Sequence, residues 1–281
     1  MLKKLLKYDL RATFKYWWIA AASSLGLAVL CGIALNILEL PQAQTSIPLT
    51  IFSIFSIIIT VIGVSAFLVA AEIFVYARFY QNFFSDEGYL TFTLPVKRSE
   101  LLISKLLMAL IVTLSTLAVI IIDAVIVALI RFGPEFFTSE FWGMIGAYLG
   151  IIIEGSIEQI GAYAYLYILE ILVLLILGCV FSTLLVFTCI TFAATITKKN
   201  KVFAAIGIYY LVNAAISFIA QLIGTVGLTG LSGWLEIIDL AAVIFPLIAL
   251  VMLLFIAIFA AMCIGIYTLE LWLLDRKLNL A

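Results

Sequence analysis

The stretch "LLISKLLMALIVTLSTLAVIIIDAVIVALI", residues 101–130, carries only two charged side chains, Lys105 and Asp123. A helix needs about 20 mostly apolar residues to cross the hydrocarbon layer of a membrane, so this stretch is long enough to span it. Five further apolar runs of comparable length lie on its two sides. The six predicted spans are residues 16–38, 49–76, 101–130, 161–196, 202–223 and 240–272.

The composition of the whole chain agrees with a protein that folds inside a lipid bilayer. Hydrophobic residues make up 66% of the 281 residues and charged residues 11%, against roughly 45–50% and about 25% in soluble domains. The mean hydropathy is +1.31. No polar stretch is long enough to build a second hydrophobic core. We therefore predict a single all-α polytopic membrane domain over residues 1–281.

The composition also argues against several classes of function. The chain has no histidine, which removes the most common general base and metal ligand. Its four cysteines lie in apolar runs without a CxxC spacing, a pattern typical of buried side chains and not of disulfides or zinc sites. A net charge of −1 offers no basic surface to nucleic acid. We expect no catalytic residue, no metal, no cofactor held by this chain and no nucleic-acid partner.

The basic residues indicate the direction of the spans. If the six spans alternate, both termini lie on one side of the membrane together with residues 77–105 and 197–201. That side carries every Lys and Arg of the chain except Arg131. Short loops rich in Lys and Arg stay in the cytoplasm. We therefore predict a multi-pass protein of the cytoplasmic membrane with both termini in the cytoplasm.

Three segments outside the spans have patterns of their own. Residues 1–15 place Leu and Phe side chains on one helical stripe and basic side chains elsewhere, which favours an interfacial amphipathic helix on the lipid surface. The alternative is that these basic residues only set the topology. Residues 141–153, in the predicted outer loop 131–160, are too short to cross and suit an interfacial or re-entrant segment. Four glycines spaced by three in the outer loop 224–239 suit a flexible connection or a re-entrant outer gate.

A short cytoplasmic helix is predicted in the polar segment "SDEGYLTFTLPVKRSELLISK", residues 85–105. Ser85 can act as the N-cap of this helix, and the acidic pair that follows suits the positive end of the helix dipole. Pro95 disfavours helical geometry in the residue before it, so the helix is expected to end at residue 94. Ser99 can then cap the third span.

The predicted short helix presents an aromatic face. Tyr89 and Phe92 are three residues apart and therefore share one side of a helix. An isolated helix of this length has only marginal stability in water. Its aromatic face is therefore expected to pack against lipid, against the helix bundle or against a cytoplasmic partner. The residues expected at such a partner interface are Ser85, Asp86, Glu87, Gly88, Tyr89, Leu90, Thr91, Phe92 and Leu94.

The stretch "DEGYLTFTLPVKRSELLISK", residues 86–105, resembles the loop between the second and third spans of ABC-2-type transporter permeases of Gram-positive bacteria. The basic start "MLKKLLKYDLRATFKY" is similar to the amino end of these permeases. In that family the loop forms a coupling helix seated in a groove of a separately encoded ATP-binding subunit. The resemblance implies that residues 85–94 contact such an ATPase. It also implies that Pro95 and Ser99 form a hinge to the third span.

The same resemblance implies the partners and the activity. The chain has no GxxxxGK[ST] phosphate loop, so ATP and Mg²⁺ would be bound by ABC ATP-binding subunits supplied as separate chains. The permease would work as a homodimer or heterodimer with a second copy or a paralogue, in contact with membrane lipid. The implied function is ATP-driven export of an amphipathic peptide, an antibiotic or a lipid-like cargo.

Four acidic residues lie inside the predicted spans, where a charge costs at least a few kcal/mol. Glu72 and Glu270 lie near cytoplasmic ends and are expected to reach the interface or to pair with nearby basic residues. Asp123 and Glu170 lie at similar depths, about 12 Å from the outer ends of their helices. They form an acidic station on a translocation path if both face water. Otherwise they are neutral or bonded to neighbouring hydroxyl groups.

Three other classes of function remain open on the sequence alone. An ATP-independent channel or ion-coupled secondary transporter would use Asp123 and Glu170 as ion sites. A membrane scaffold or immunity protein would sequester a toxic peptide without moving it. An intramembrane enzyme is the weakest alternative because histidine is absent. Binding of an ATPase at residues 85–94 would separate the permease from the channel or carrier.

Overall fold

The three-dimensional structure is a computed structural model. It describes residues 2–41, 46–85, 88, 93, 96–161, 163–197, 200–235 and 240–276. Within this part the chain forms seven long α-helices and one short 3₁₀ helix, with no β-strand. The all-α prediction is therefore confirmed.

The α-helices follow one another with short connections. They are α1 (Leu2–Glu39), α2 (Ile47–Phe84), α3 (Arg98–Phe132), α4 (Ser139–Ile160), α5 (Tyr163–Ile196), α6 (Lys201–Leu235) and α7 (Leu240–Arg276). On the described residues, all of them except α4 contain a stretch long and apolar enough to cross a membrane. The chain is therefore a multi-pass membrane protein with six candidate spanning helices, as predicted.

The structure differs from the prediction at the amino end, where no separate interfacial helix forms. Residues 2–15 continue directly into the first span within α1. No glycine or proline interrupts residues 2–25. The buried side chains Asp9, Thr13 and Trp17 recur every four residues along one face. The helix stays continuous because this face is held against neighbouring helices on both sides of the predicted boundary at residue 15.

The predicted outer loops contain more helix than expected. Helix α4 includes the whole apolar stretch 141–153 and extends to Ile160. Helix α6 continues through the glycine-rich stretch as far as Leu235, so the predicted loop 224–239 is mostly helical. Each glycine costs a helix only about 1 kcal/mol relative to alanine. The long apolar helix that precedes the stretch offsets this cost.

The structure divides into two compact units, which are described one at a time. Unit 1 comprises residues 1–96 and 100–151, and contains α1, α2, most of α3 and the first half of α4. Unit 2 comprises residues 97–99 and 152–281, and contains α5, α6 and α7. Each unit therefore holds three of the six candidate spans.

Small side chains bring the helices of unit 1 together. Ser24, Ala28 and Gly32 follow one another at four-residue steps on the buried face of α1. At Gly32 the approach to α3 is so close that a Cβ atom would lie 2.8 Å from the Cβ of Ile130. Next to it, Nδ2 of Asn36 donates a hydrogen bond of 2.6 Å to the Ile130 carbonyl oxygen. Small residues and interhelical hydrogen bonds are the usual means of joining helices within a membrane.

In unit 2, helix α5 packs against both α6 and α7. The rings of Phe181 and Phe259 join α5 to α7 with centroids 5.5 Å apart. Nearer the amino end of α5, the hydroxyl of Tyr167 donates a hydrogen bond of 2.7 Å to the Phe245 carbonyl oxygen. At the opposite end of α7, Asp275 forms a salt bridge of 2.9 Å with Arg98.

Candidate functional site

A cluster of buried charged and polar side chains lies in unit 1 where α1, α2 and α3 meet. We call it the Asp9 cluster, and its members are Asp9, Arg78, Asn82, Ser104 and Lys105. Asp9 is only 4% exposed and Lys105 only 3%. The Lys105 Nζ atom lies 2.6 Å from Oδ2 of Asp9, so the two form a buried ion pair.

The other members complete the coordination of the Asp9 carboxylate. Nδ2 of Asn82 donates a hydrogen bond of 2.9 Å to Oδ1, and Nε of Arg78 lies 3.5 Å from the same oxygen. The hydroxyl of Ser104 donates a longer bond of 3.4 Å to Oδ2. A buried charge is tolerated when it is both paired and hydrogen-bonded. Both oxygens of Asp9 meet this condition.

The Asp9 cluster joins the two helices that flank the predicted coupling segment. Arg78 and Asn82 lie in the last two turns of α2, whereas Ser104 and Lys105 lie in the first three turns of α3. The segment 85–97 connects these two helix ends. Through Asp9, α1 is therefore bonded to the helix before this segment and to the helix after it.

Sequence reasoning missed this cluster, although a signal was present. The sequence pattern favours a basic surface helix over residues 1–15 and places Lys105 among the charges that set the topology. Asp9 is the first acidic residue of the chain, with no other before Glu39. Asp9 is an isolated acid among basic residues, and it shares a helical face with Thr13 and Trp17. This pattern indicates that Asp9 is buried and pairs with a basic side chain.

The predicted coupling segment is described only in part. Positions 86, 87, 89–92 and 94 of the predicted partner interface, with Pro95 of the predicted hinge, lie outside the described residues. Ser85 directly follows α2, and its hydroxyl donates a hydrogen bond of 2.5 Å back to the Gln81 carbonyl oxygen. The role of Ser85 as the N-cap of the helix that follows stays a prediction. Ser99 is not the cap of the third span, because α3 begins one residue earlier, at Arg98.

Gly88 lies against the end of α2. Its N–H donates a hydrogen bond of 2.8 Å to the Ser85 carbonyl oxygen, which turns the chain just after α2. A Cβ atom at Gly88 would lie 2.7 Å from the carbonyl oxygen of Phe83. Because real Cβ atoms do not approach a backbone oxygen so closely, only glycine fits this position.

The two predicted path residues lie in different units. In unit 1, Ser24 of α1 donates a hydrogen bond to Oδ2 of the buried Asp123, whose Oδ1 has no partner among the described residues. In unit 2, Glu170 is buried on α5, and neither of its carboxyl oxygens has a hydrogen-bond partner in the described part of the chain. That these two residues meet on one path stays a prediction.

The acids expected near the cytoplasmic interface behave differently from each other. Glu270 does not reach an interface, because its side chain is completely buried in unit 2. The hydroxyl of Thr191 donates a hydrogen bond of 2.6 Å to Oε1 of Glu270, which replaces the expected basic partner. Glu72 in unit 1 is half-buried and accepts a hydrogen bond of 3.2 Å from Thr113.

The single basic residue on the predicted outer side has a clear structural role. Arg131, in the last turn of α3, forms a salt bridge with Glu39 at the end of α1. A second nitrogen of Arg131 lies 3.5 Å from Oδ1 of Asn36. Arg131 therefore links α1 to α3 at the ends opposite the Asp9 cluster. These contacts account for a basic residue on the predicted outer side.

No protein-family model, curated protein or solved structure matches this chain. In the part of the chain that the structure describes, no three His, Cys, Asp or Glu side chains converge as metal ligands would. The six candidate spans establish a multi-pass membrane protein.

Proposed function

We propose that this chain is the permease subunit of an ATP-driven ABC-2-type exporter in the cytoplasmic membrane. The observation that carries the proposal is the polar segment 85–105, which resembles the coupling loop of such permeases and falls between the second and third of six candidate spans. ATP and Mg²⁺ are bound by separate ATP-binding subunits. A second copy of the permease, or a paralogue, completes the transporter.

The Asp9 cluster supports a mechanical role for this segment. When the ATP-binding subunits close, they displace residues 85–94, and the displacement reaches α2 and α3 through the two ends of the segment. A buried ion pair with additional hydrogen bonds holds its partners at fixed distances. The Lys105–Asp9 pair therefore passes the movement on to α1, so that the first three helices move together.

The cargo that suits the chain is amphipathic. The candidate spans carry few fixed charges and many apolar side chains, which argues against a small, highly charged solute. An amphipathic peptide, an antibiotic or a lipid-like molecule fits this composition. In this proposal Asp123 and Glu170 line the path that alternates between inward and outward access.

A double substitution in the coupling segment tests the proposal. We expect Tyr89→Asp combined with Phe92→Asp to abolish co-purification of the ATP-binding subunit, because two carboxylates would replace the predicted aromatic face. The measurement is mass spectrometry of the companions of the tagged chain after extraction from native membranes in mild detergent. Tyr8→Asp is the control for an introduced aspartate, since it replaces one exposed aromatic residue of α1 with the same side chain. The proposal fails if no ABC ATPase accompanies the unaltered chain.

A second candidate function is an ion-coupled carrier or a channel. It is favoured by the buried carboxyl oxygens of Asp123 and Glu170 that have no partner among the described residues. Intramembrane acids with such surroundings often mark ion pathways. Proteoliposomes that contain this chain alone separate the two functions.

On the proposed function, proteoliposomes of this chain show no more H⁺ or Na⁺ flux than empty vesicles, and Asp123→Asn changes nothing. Flux is measured with a pH-sensitive dye and with radioactive Na⁺, without ATP. Ser24→Ala is the control, because it removes the hydrogen bond to Asp123 and keeps the carboxyl group. A flux that falls about tenfold in Asp123→Asn would instead support the carrier or channel.

A further inference from the structure

A groove of about 320 Å³ runs between α2 and α3 in unit 1. Its walls are mainly apolar and include Leu68, Ile73 and Leu117. The polar residues that border it are Glu72, Tyr76, Thr113 and Thr116. Small-molecule sites in proteins have this volume and this pattern, an apolar cleft with a few polar groups that fix orientation.

Among the described residues, the Glu72 carboxylate has one neutral partner and no cationic one. Oε1 accepts a hydrogen bond of 3.2 Å from the hydroxyl of Thr113. No Lys or Arg of the described residues lies within 4.0 Å of Glu72. Arg78, about 9 Å further along α2 at helical rise, points its Nε toward Asp9. Arg78, which the sequence suggests as a partner of Glu72, therefore belongs to the Asp9 cluster.

Exposure separates Glu72 from the other intramembrane acids. Asp123, Glu170 and Glu270 are 5%, 2% and 0% exposed, so a ligand cannot reach them without a rearrangement. Glu72 is half-buried and borders the open groove. Because an uncompensated charge inside a membrane span is costly, this carboxylate favours a positively charged occupant.

The shape of the groove specifies the rest of the occupant. Its apolar walls on both sides of Glu72 suit a bulky hydrocarbon body, and a Tyr76 ring beside the charge adds an aromatic surface of the kind that attracts cations. A small hydrated metal ion would leave these walls unfilled. We propose that the groove between α2 and α3 binds a lipophilic monocation, whose positive charge meets the Glu72 carboxylate and whose apolar body packs against Leu68, Ile73 and Leu117.

This inference deepens the proposed function, because the view of the groove as a cargo site rests on the chain being an exporter subunit. Binding itself requires no ATPase and can be measured on the permease alone. A chain that binds the cation but never co-purifies with an ATPase would retain the site and lose the proposed function. A chain that recruits an ATPase but does not bind the cation would support the proposed function and contradict the cation site.

The test is equilibrium binding of radioactive tetraphenylphosphonium to the purified full chain in lipid nanodiscs. We expect saturable binding, and we expect Glu72→Gln to weaken it at least tenfold, because glutamine keeps an acceptor for Thr113 and loses the charge. Glu39→Gln, the same change at the far end of α1, should leave binding unaltered. Tetraphenylborate, which has the same shape and the opposite charge, should not compete.

A second variant keeps the test decisive if Glu72→Gln does not fold. Leu117→Trp fills the groove and retains the carboxylate, so it should block binding by sterics alone. The proposal is overturned if Glu72→Gln binds the cation as tightly as the unaltered chain, if tetraphenylborate competes equally well, or if the chain shows no saturable binding above empty nanodiscs.

Discussion

Replacing Lys105 with methionine is expected to destabilise the folded chain by about 3 kcal/mol. The substitution leaves the Asp9 carboxylate buried without the cation that lies 2.6 Å from it. Breaking a buried pair from one side typically costs about 3–5 kcal/mol, since the remaining charge is uncompensated. We expect the lower end of that range because Arg78 and Asn82 still contact Asp9. The measurement is unfolding of the purified protein in mixed micelles with increasing SDS.

Two further variants distinguish the ion pair from a general loss of charge. Lys4→Met removes an exposed base from the same end of the molecule and should change stability by less than about 0.5 kcal/mol. Adding Asp9→Asn to Lys105→Met removes both charges of the pair and should recover most of the loss, because the buried carboxylate that lost its lysine is then gone. Equal stability of Lys105→Met and the unaltered chain would contradict the buried pair.

Trp17→Ala is expected to produce a second loss of about 3 kcal/mol or more. Trp17 of α1 is buried, with only 3% of its surface exposed. Its Nε1 donates a hydrogen bond of 2.9 Å to Oγ1 of Thr116 on α3, and its ring centroid lies 6.0 Å from that of Phe67 on α2. Inside a bilayer, helices are held by packing and hydrogen bonds. A cavity at the junction of three helices removes both.

The neighbouring residue provides the control for this substitution. Trp18 is 63% exposed, so Trp18→Ala should lower stability far less than Trp17→Ala in the same SDS titration. Trp17→Phe keeps most of the ring volume and loses the hydrogen bond to Thr116, so its cost should be about 1 kcal/mol. Similar losses for the two alanine variants would contradict the buried packing of Trp17 in unit 1.

The candidate site was only partly predictable. Polar segments between spans are visible in any hydropathy profile, so residues 85–105 stand out, and their aromatic and acidic pattern carries the proposed contact with an ATPase. The Asp9–Lys105 pair could not be derived in the same way. Its two members are 96 residues apart, and a single sequence does not show which faces of two helices meet.

Glu72 is a case in which sequence proximity predicts an ion pair that the described part of the structure does not contain. Its nearest bases in sequence include Arg78, and local reasoning therefore pairs the two. In the structure, Arg78 contacts Asp9. Glu72 lies at the edge of a groove and accepts a hydrogen bond from Thr113. Competition between Asp9 and Glu72 for one guanidinium depends on the arrangement of three helices.

Hydropathy along the chain was sufficient to identify an all-helical membrane protein with six candidate spans. The reason is that the free energy of placing a helix in a bilayer is nearly a sum over about 20 consecutive residues, and each helix satisfies its own backbone hydrogen bonds. The packing of the helices was needed to show which charges are buried together, which helix faces touch and which acid stays open to a groove. These depend on side chains distant in sequence, where packing and electrostatic pairing, not local hydropathy, select the partner.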